Sequence, residues 1–142
     1  MKLRAVNEWD ALRTVAVGTA QSMGGTPLLV DAYDPKSKEH IQAGTFPIES
    51  NCIEELDQLA TLLKANDIEV LRPEVLHNLN QIFARDVGVV IDDRLVVTRM
   101  ISDRAAEWHG IAPLLQHVQD THILTAPGGV RVEGGDVMPM DG

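Results

Sequence analysis

The sequence predicts an α/β protein built from repeated units. Short β-branched runs alternate with helical periodicity, and the same element order occurs twice over segments of roughly 50 to 60 residues. A third segment opens near Val130. The expected division is one domain over residues 1–142, with unit one at about 12–73, unit two at about 82–126 and the start of a third at 130–142.

Leu12 to Val17 alternates and is β-rich, and Gly18 ends it, which predicts a strand. From Thr19 to Glu49 the chain carries Gly24, Gly25, Pro27, Asp34-Pro35, Gly44 and Pro47 around one short apolar run, so a long lid or binding loop is expected there. Asn51 then reads as a helix N-cap with Glu54 three residues on, and Ile53, Leu56, Leu59, Ala60 and Leu63 keep helical spacing until Asn66. Ile68 to Leu71 predicts a short buried strand closed by Arg72-Pro73. In the second unit, Val87 to Ile91 and Leu95 to Thr98 flank Asp92-Asp93 as a tight hairpin. Ser102 is a candidate cap for a helix burying Ala105, Ala106, Trp108 and Ile111, which Pro113 kinks or restarts. His122 to Thr125 is the next strand, and Val130 to Val132 and Val137 to Met140 are strand candidates of the third unit. That unit looks unfinished, because Asp141-Gly142 is a strong hairpin signal with no strand after it; truncation is therefore expected, with the last strand left as an exposed edge or paired with another chain.

Composition narrows the function classes. Twelve Lys and Arg against 21 Asp and Glu give a net charge of −9, which opposes phosphate binding and argues against nucleic acid as a partner. No apolar run approaches the roughly 20 residues of a membrane helix. No apolar stretch follows the first basic residues, and Cys52 is the single cysteine, so a reducing cytoplasmic setting is expected. Neither a Walker loop nor a G-x-G-x-x-G fingerprint occurs, the five histidines show no paired metal spacing, and no cofactor is expected. Cys52 stands at the start of the strongest predicted helix, where the dipole favours a nucleophilic thiolate; with no histidine nearby in sequence, a half-buried structural residue is the alternative that prevails.

Two acidic clusters remain. Phe83-Ala84-Arg85-Asp86 precedes a buried strand, and Glu133-Gly134-Gly135-Asp136 interrupts another with two glycines, where the backbone turns or something approaches closely. Each also has a plain structural reading, a surface ion pair at a strand start and a polar turn.

Together these segments resemble, in order, the amidinotransferase and arginine deiminase superfamily. Asn7-Glu8-Trp9-Asp10 followed by Val15 to Gly18 is similar to the opening of glycine and inosamine-phosphate amidinotransferases. Ile53 to Pro73 is similar to their first helix and strand, and Phe83 to Met100 to their R-D hairpin. Val132 to Val137 resembles the E-G-G-D-V motif of arginine deiminases and related hydrolases. The resemblance implies a pentein-like partial α/β propeller of ββαβ repeats around a substrate channel, of which this chain would carry roughly two and a half units. It also implies a cysteine thiolate attacking a guanidinium carbon, with a histidine as general acid and base.

By motif position Asp86 and Glu133 would be the substrate-binding carboxylates, since a planar cation edged with N–H groups is best held by carboxylates accepting paired hydrogen bonds. Arg85 would pair with the carboxylate of an amino-acid substrate or hold its strand, the structural role being slightly favoured. The family's histidine and late cysteine have no counterpart here, and Cys52 does not match the nucleophile's place. The N-terminal motif points to transferases and the E-G-G-D motif to hydrolases. The sequence therefore supports the N-terminal part of an enzyme acting on arginine or another guanidino compound, inactive alone. The alternative is a complete short noncatalytic binding or assembly protein that covers its open strand edges by homo-oligomerising.

Overall fold

The computed structural model describes residues 2–140, with His117 described by its backbone alone. Its first elements are strand β1 (Thr14–Ala16), helix α1 (Pro35–Ala43), helix α2 (Glu49–Ala65) and strand β2 (Glu69–Leu71). β1 and β2 pair in parallel, Thr14 opposite Glu69 and Ala16 opposite Leu71. Parallel neighbours require a crossover, and α2 provides it while packing on β2.

Helix α1 corrects the expected loop over 19–49. Asp34-Pro35 is a helix start: the Ser37 amide donates to Asp34 Oδ1 at 2.8 Å, and Pro35 takes a first-turn position whose N–H has no partner to lose. Gly44 ends the helix at φ 67°, a left-handed conformation suited to glycine. No residue of α1 is buried, so no apolar period announced it. Helix α2 starts upstream of the expected Asn51 cap, at Glu49 with Ile48 as N-cap and no side-chain cap bond. The Ile48 carbonyl accepts the Asn51 and Cys52 amides, and Glu49 Oε1 accepts the Ser22 amide at 3.2 Å, so the helix begins three residues earlier. Asn66 ends it as expected, Ala60 is buried, and Leu59 faces solvent rather than the core.

The second group comprises the single turn α3 (Ala84–Val87), strands β3 (Gly88–Ile91) and β4 (Arg94–Val97), a 3-10 segment over Ser102–Glu107, the turn α4 (Trp108–Ile111), a second 3-10 segment over Ala112–His117, and strand β5 (Ile123–Thr125). β3 and β4 form the expected hairpin: Ile91 lies opposite Arg94, leaving Asp92-Asp93 as the two-residue turn, with Asp92 at φ 57°. β5 returns parallel to β4, giving the sheet order β3-β4-β5 and the chain order ββαβ. Among the described residues the sheets have two and three strands, and neither closes.

Two further expectations fail here. Ser102 is not a cap; its hydroxyl donates to Asp103, and Ile101 precedes the first turn without a side-chain bond. Ala105 and Ala106 are exposed, while Arg104, Glu107, Gly110 and Ile111 are buried. The cause at Arg104 and Glu107 is the helix type, since a 3-10 segment brings every third residue onto one face and so turns both inward.

The third group is less regular than expected. Val132 forms an isolated antiparallel pair with Arg99, Gly134–Asp136 is a 3-10 turn, and Val137 to Met140 is not a strand. The Val137 carbonyl accepts from the Arg85 guanidinium at 2.7 Å instead of from a ladder partner. Asp141-Gly142, the expected unused turn, lies outside the described residues. The core near the site is small: Val87, Met100 and Ile111, with Ala84, Trp108 and Leu114 against it. Apolar burial there is modest, so polar contacts carry much of the positioning that follows.

Candidate functional site

The two acidic motifs meet. Turn α3 packs on the Gly134–Asp136 turn, and the two glycines exist because the chains approach so closely. A Cβ on Gly134 would lie 2.0 Å from the Arg85 carbonyl oxygen, and one on Gly135 would lie 2.5 Å from Asp86 Oδ1. With no side chain in the way, the Gly135 amide donates to Asp86 Oδ1 at 3.0 Å. Thr98 Oγ1 donates to the Asp86 carbonyl and ties α3 to the end of β4.

Asp86 and Glu133, far apart in sequence, converge on one nitrogen of a third residue. Arg104 Nη1 donates to Asp86 Oδ2 at 2.9 Å and to Glu133 Oε2 at 3.0 Å. The other edge of the same guanidinium is held by Glu107, with Nε to Oε1 at 2.7 Å and Nη2 to Oε2 at 3.0 Å. Arg104 and Glu107 are 8% and 3% exposed, and a buried charge is tolerated only where it is paired to this degree. The Phe83 ring lies 6.0 Å from the guanidinium carbon, within cation–π range.

Electrostatics follow from one cation among three carboxylates. Burial alone would lower the Arg104 pKa, but its hydrogen bonds to Glu107 and Asp86 outweigh that and hold it above the ordinary arginine value. Glu107 moves up as well, first through burial, with the charges of Asp86 and Glu133 adding to the shift and Arg104 offsetting part of it. These two directions pull oppositely on the Arg104–Glu107 pair. Arg104 stays charged because three carboxylates stabilise it, whereas burial disfavours the charged form of Glu107, which has Arg104 as its single partner. Tyr33 stands near enough to feel Arg104, Glu107 and Glu133; burial raises its phenol.

Arg85 points its donors elsewhere. Its guanidinium grips Glu8 in a bidentate pair at 3.1 and 2.6 Å, and donates to the carbonyls of Gly134 and Val137 at 3.2 and 2.7 Å. That hydrogen bonding lowers the Glu8 pKa and raises that of Arg85. Asn7 Oδ1 caps the neighbouring turn by accepting the Trp9 and Asp10 amides. The N-terminal motif, the R-D turn and the E-G-G-D turn are thus one assembly.

Two clefts open beside it. One of about 320 Å³ is lined by Val87, Thr98, Met100, Trp108 and their neighbours, and one of about 190 Å³ by Arg99, Met100, Ile101, Arg131, Val132, Glu133 and Asp136. Glu133 belongs both to the Arg104 cluster and to the smaller cleft, where its Oε1 makes no hydrogen bond among the described residues. Among the described residues no group of three His, Cys, Asp or Glu is placed to hold a metal ion, and Cys52 is a half-buried thiol in the first turn of α2. Sequence reasoning missed Arg104, Glu107 and Tyr33. The first two were detectable only as a pair of opposite charges three residues apart in line with Gly110, and Tyr33 carried no signal.

The same architecture occurs in solved structures of enzymes that modify guanidino groups. An inosamine-phosphate amidinotransferase from Streptomyces griseus superposes with a TM-score of 0.63 at 24% identity, over 87% of this chain and 42% of that one. An amidinotransferase of saxitoxin biosynthesis from Microseira wollei gives 0.63 at 21%, over 87% and 41%. A dimethylarginine dimethylaminohydrolase from Pseudomonas aeruginosa, in complex with citrulline, gives 0.63 at 17%, over 89% and 46%. This chain shares their fold. It spans less than half the length of each of those three chains. No protein-family model matches the sequence, and no curated protein matches it. Within the shared fold, no described helix is long and apolar enough to cross a membrane.

Proposed function

We propose that the chain is the N-terminal part of a guanidino-group-modifying enzyme, an amidinotransferase or a related hydrolase, acting on arginine or a similar guanidino compound in the cytoplasm. The observation that carries this reading is the convergence of Asp86 and Glu133 on a guanidinium, that of Arg104. Charge, hydrogen-bond direction and burial at the two carboxylates are matched to that chemical group, and Glu133 also lines the small cleft beside them. The neighbours whose fold the chain shares include one solved with citrulline, an arginine-like ureido compound, which supports the same ligand class.

In this reading Glu133 accepts the ligand's N–H groups from the cleft. Asp86 holds the first oxygen of the clamp in place through Gly135 and Arg104. Arg85 is a positioning residue that joins the two turns. The covalent step requires a thiolate and a proton-transferring histidine, for which these residues provide no counterpart, so binding without turnover is the property expected of the isolated chain. Calorimetric or NMR titration with arginine tests it. Weak saturable binding should fall about tenfold or more in Glu133→Gln and in Asp86→Asn, as expected for losing a charge-assisted bond. Binding unchanged in both variants would remove their assigned roles.

A noncatalytic binding or assembly protein is the second reading, favoured by the saturation of Asp86 by Gly135 and Arg104. A discrete homo-oligomer that ignores arginine would support it.

A further inference from the structure

The clamp already contains a guanidinium, supplied by the chain itself. Asp86 Oδ2 and Glu133 Oε2 both accept from Arg104 Nη1, and Asp86 Oδ1 accepts from the Gly135 amide. An incoming guanidino group therefore meets its own chemical double where the two carboxylates converge. What holds that double also allows it to leave. Arg104 is bonded on its other edge to Glu107, and both residues stand on the 3-10 segment over Ser102–Glu107. Moving Arg104 outward alone would strand a buried carboxylate, whereas the two together withdraw as a neutral, mutually bonded unit. The segment is lightly anchored: its start has no side-chain cap, 3-10 hydrogen-bond geometry is poorer than that of an α-helix, and Ser102, Asp103, Ala105 and Ala106 are exposed. Its buried residues are Arg104 and Glu107 themselves. The nearby apolar cluster of Val87, Met100 and Ile111 is built outside the segment, so its packing does not depend on the pair. Once the pair has left, Asp86 and Glu133 face each other as two like charges, a repulsion that a new cation relieves.

We propose that Arg104 is an internal plug of the clamp, an autoinhibitory contact in which the chain's own guanidinium excludes a guanidino ligand until the Arg104–Glu107 pair withdraws. This plug rests on the guanidinium-binding reading above and adds a closed and an open state to it. In the closed state the ligand reaches only Glu133, from the cleft side, and binds weakly. In the open state both carboxylates are vacated together, and the same ligand bridges Asp86 and Glu133 as Arg104 Nη1 does. The apparent affinity is then the affinity of the open clamp multiplied by the fraction of chains that are open. An open fraction below about one in ten weakens binding by about tenfold or more.

The test is calorimetric titration of methylguanidine, a guanidino compound with no second functional group, into the full chain and into the double variant Arg104→Met with Glu107→Leu. Replacing both members removes the plug, keeps the charge of the clamp and substitutes apolar side chains of similar volume, a change that buried ion pairs tolerate. The double variant should bind methylguanidine about tenfold or more tightly than the unaltered chain. Adding Asp86→Asn to it should abolish that difference. Equal affinity in the two proteins overturns the plug, and the clamp reading survives that result if Asp86→Asn and Glu133→Gln still weaken binding. Where neither protein binds methylguanidine, both fail, because an emptied clamp that takes no guanidinium has nothing to exclude. A second measurement decides if the double variant does not fold. On saturation of the unaltered chain with methylguanidine, the NMR resonance of the Arg104 Nε–H group should move and amide exchange over residues 102–107 should quicken, while the β3–β4 ladder stays protected. An Arg104 resonance that keeps its position under saturating methylguanidine sinks the plug.

Discussion

The glycines of the E-G-G-D motif show how much one missing methyl group decides. A methyl on Gly134 meets the Arg85 backbone, which has no rotamer to escape into, whereas one on Gly135 meets the Asp86 carboxylate, which can turn away. Gly134→Ala should therefore destabilise at or above the roughly 1–3 kcal/mol of ordinary overpacking. Gly135→Ala should cost less stability and more binding, because Asp86 leaves the clamp as it rotates. Urea denaturation beside an arginine titration separates the two, and identical stability losses would contradict the contrast. Arg104 makes the complementary case for charge. Replacing it by methionine leaves Asp86, Glu107 and Glu133 facing one another, a loss of about 3–5 kcal/mol at neutral pH by analogy with other broken buried pairs. The sign with pH is fixed by Glu107, already raised above 4.5 in the native state. A carboxyl raised on folding adds stability below its unfolded pKa, and that stability is lost as pH rises through the folded value. Without Arg104 the repulsion grows, so the variant should recover stability between neutral pH and about pH 5 more steeply than the unaltered protein. Parallel pH profiles in both proteins would count against the cluster's being charged.

At the scale of elements, what the sequence made legible depended on whether burial or capping held the element. The β3–β4 hairpin was readable because Val89, Leu95 and Val97 are buried and Asp92-Asp93 has turn chemistry. α2 was readable in its middle and at Asn66, and misplaced at its start, where a backbone carbonyl does the capping. α1 was invisible to periodicity, since none of its residues is buried, and its Asp-Pro start reads equally well as a turn. The 3-10 segment over 102–107 defeated a 3.6-residue template, which is why its buried face was assigned to alanines and the Arg104–Glu107 pair was missed. Of the candidate site, Asp86 and Glu133 were located by motif, while the cation that joins them was not. Helix α1 thus depends on its caps, and Asp34→Ala should remove about 1 kcal/mol of local stability. Amide exchange in residues 35–43 should quicken with little change in α2; equal quickening in both helices would mean that α1 unfolds only with the whole.

For the whole molecule, the question is what joins segments that share so little apolar core. Arg85 answers much of it, with bonds spanning 77 residues to Glu8, 49 to Gly134 and 52 to Val137. One side chain therefore fastens the N-terminal segment and the E-G-G-D turn to the start of the second sheet. Exposed ion pairs normally contribute under about 1 kcal/mol, but this guanidinium also satisfies two backbone carbonyls, so its loss has consequences at three places in the chain. Arg85→Lys keeps the charge and removes the fork. We expect it to raise amide exchange at residues 7–10 and 134–137 together, while the β3–β4 ladder stays protected. Glu8→Gln should loosen 7–10 alone, because the carbonyl bonds to Gly134 and Val137 survive. The Glu8 pKa gives a second readout. It is lowered in the folded chain, so the contribution of the Glu8–Arg85 pair is present at neutral pH and lost as pH falls through the native value. Protection at 7–10 should accordingly weaken on acidification in the unaltered protein and show a flatter pH response in Glu8→Gln. Arg85→Lys leaving exchange unchanged at both segments would show that neighbouring contacts hold them, and Arg85 would then be a bystander at the junction rather than its fastener.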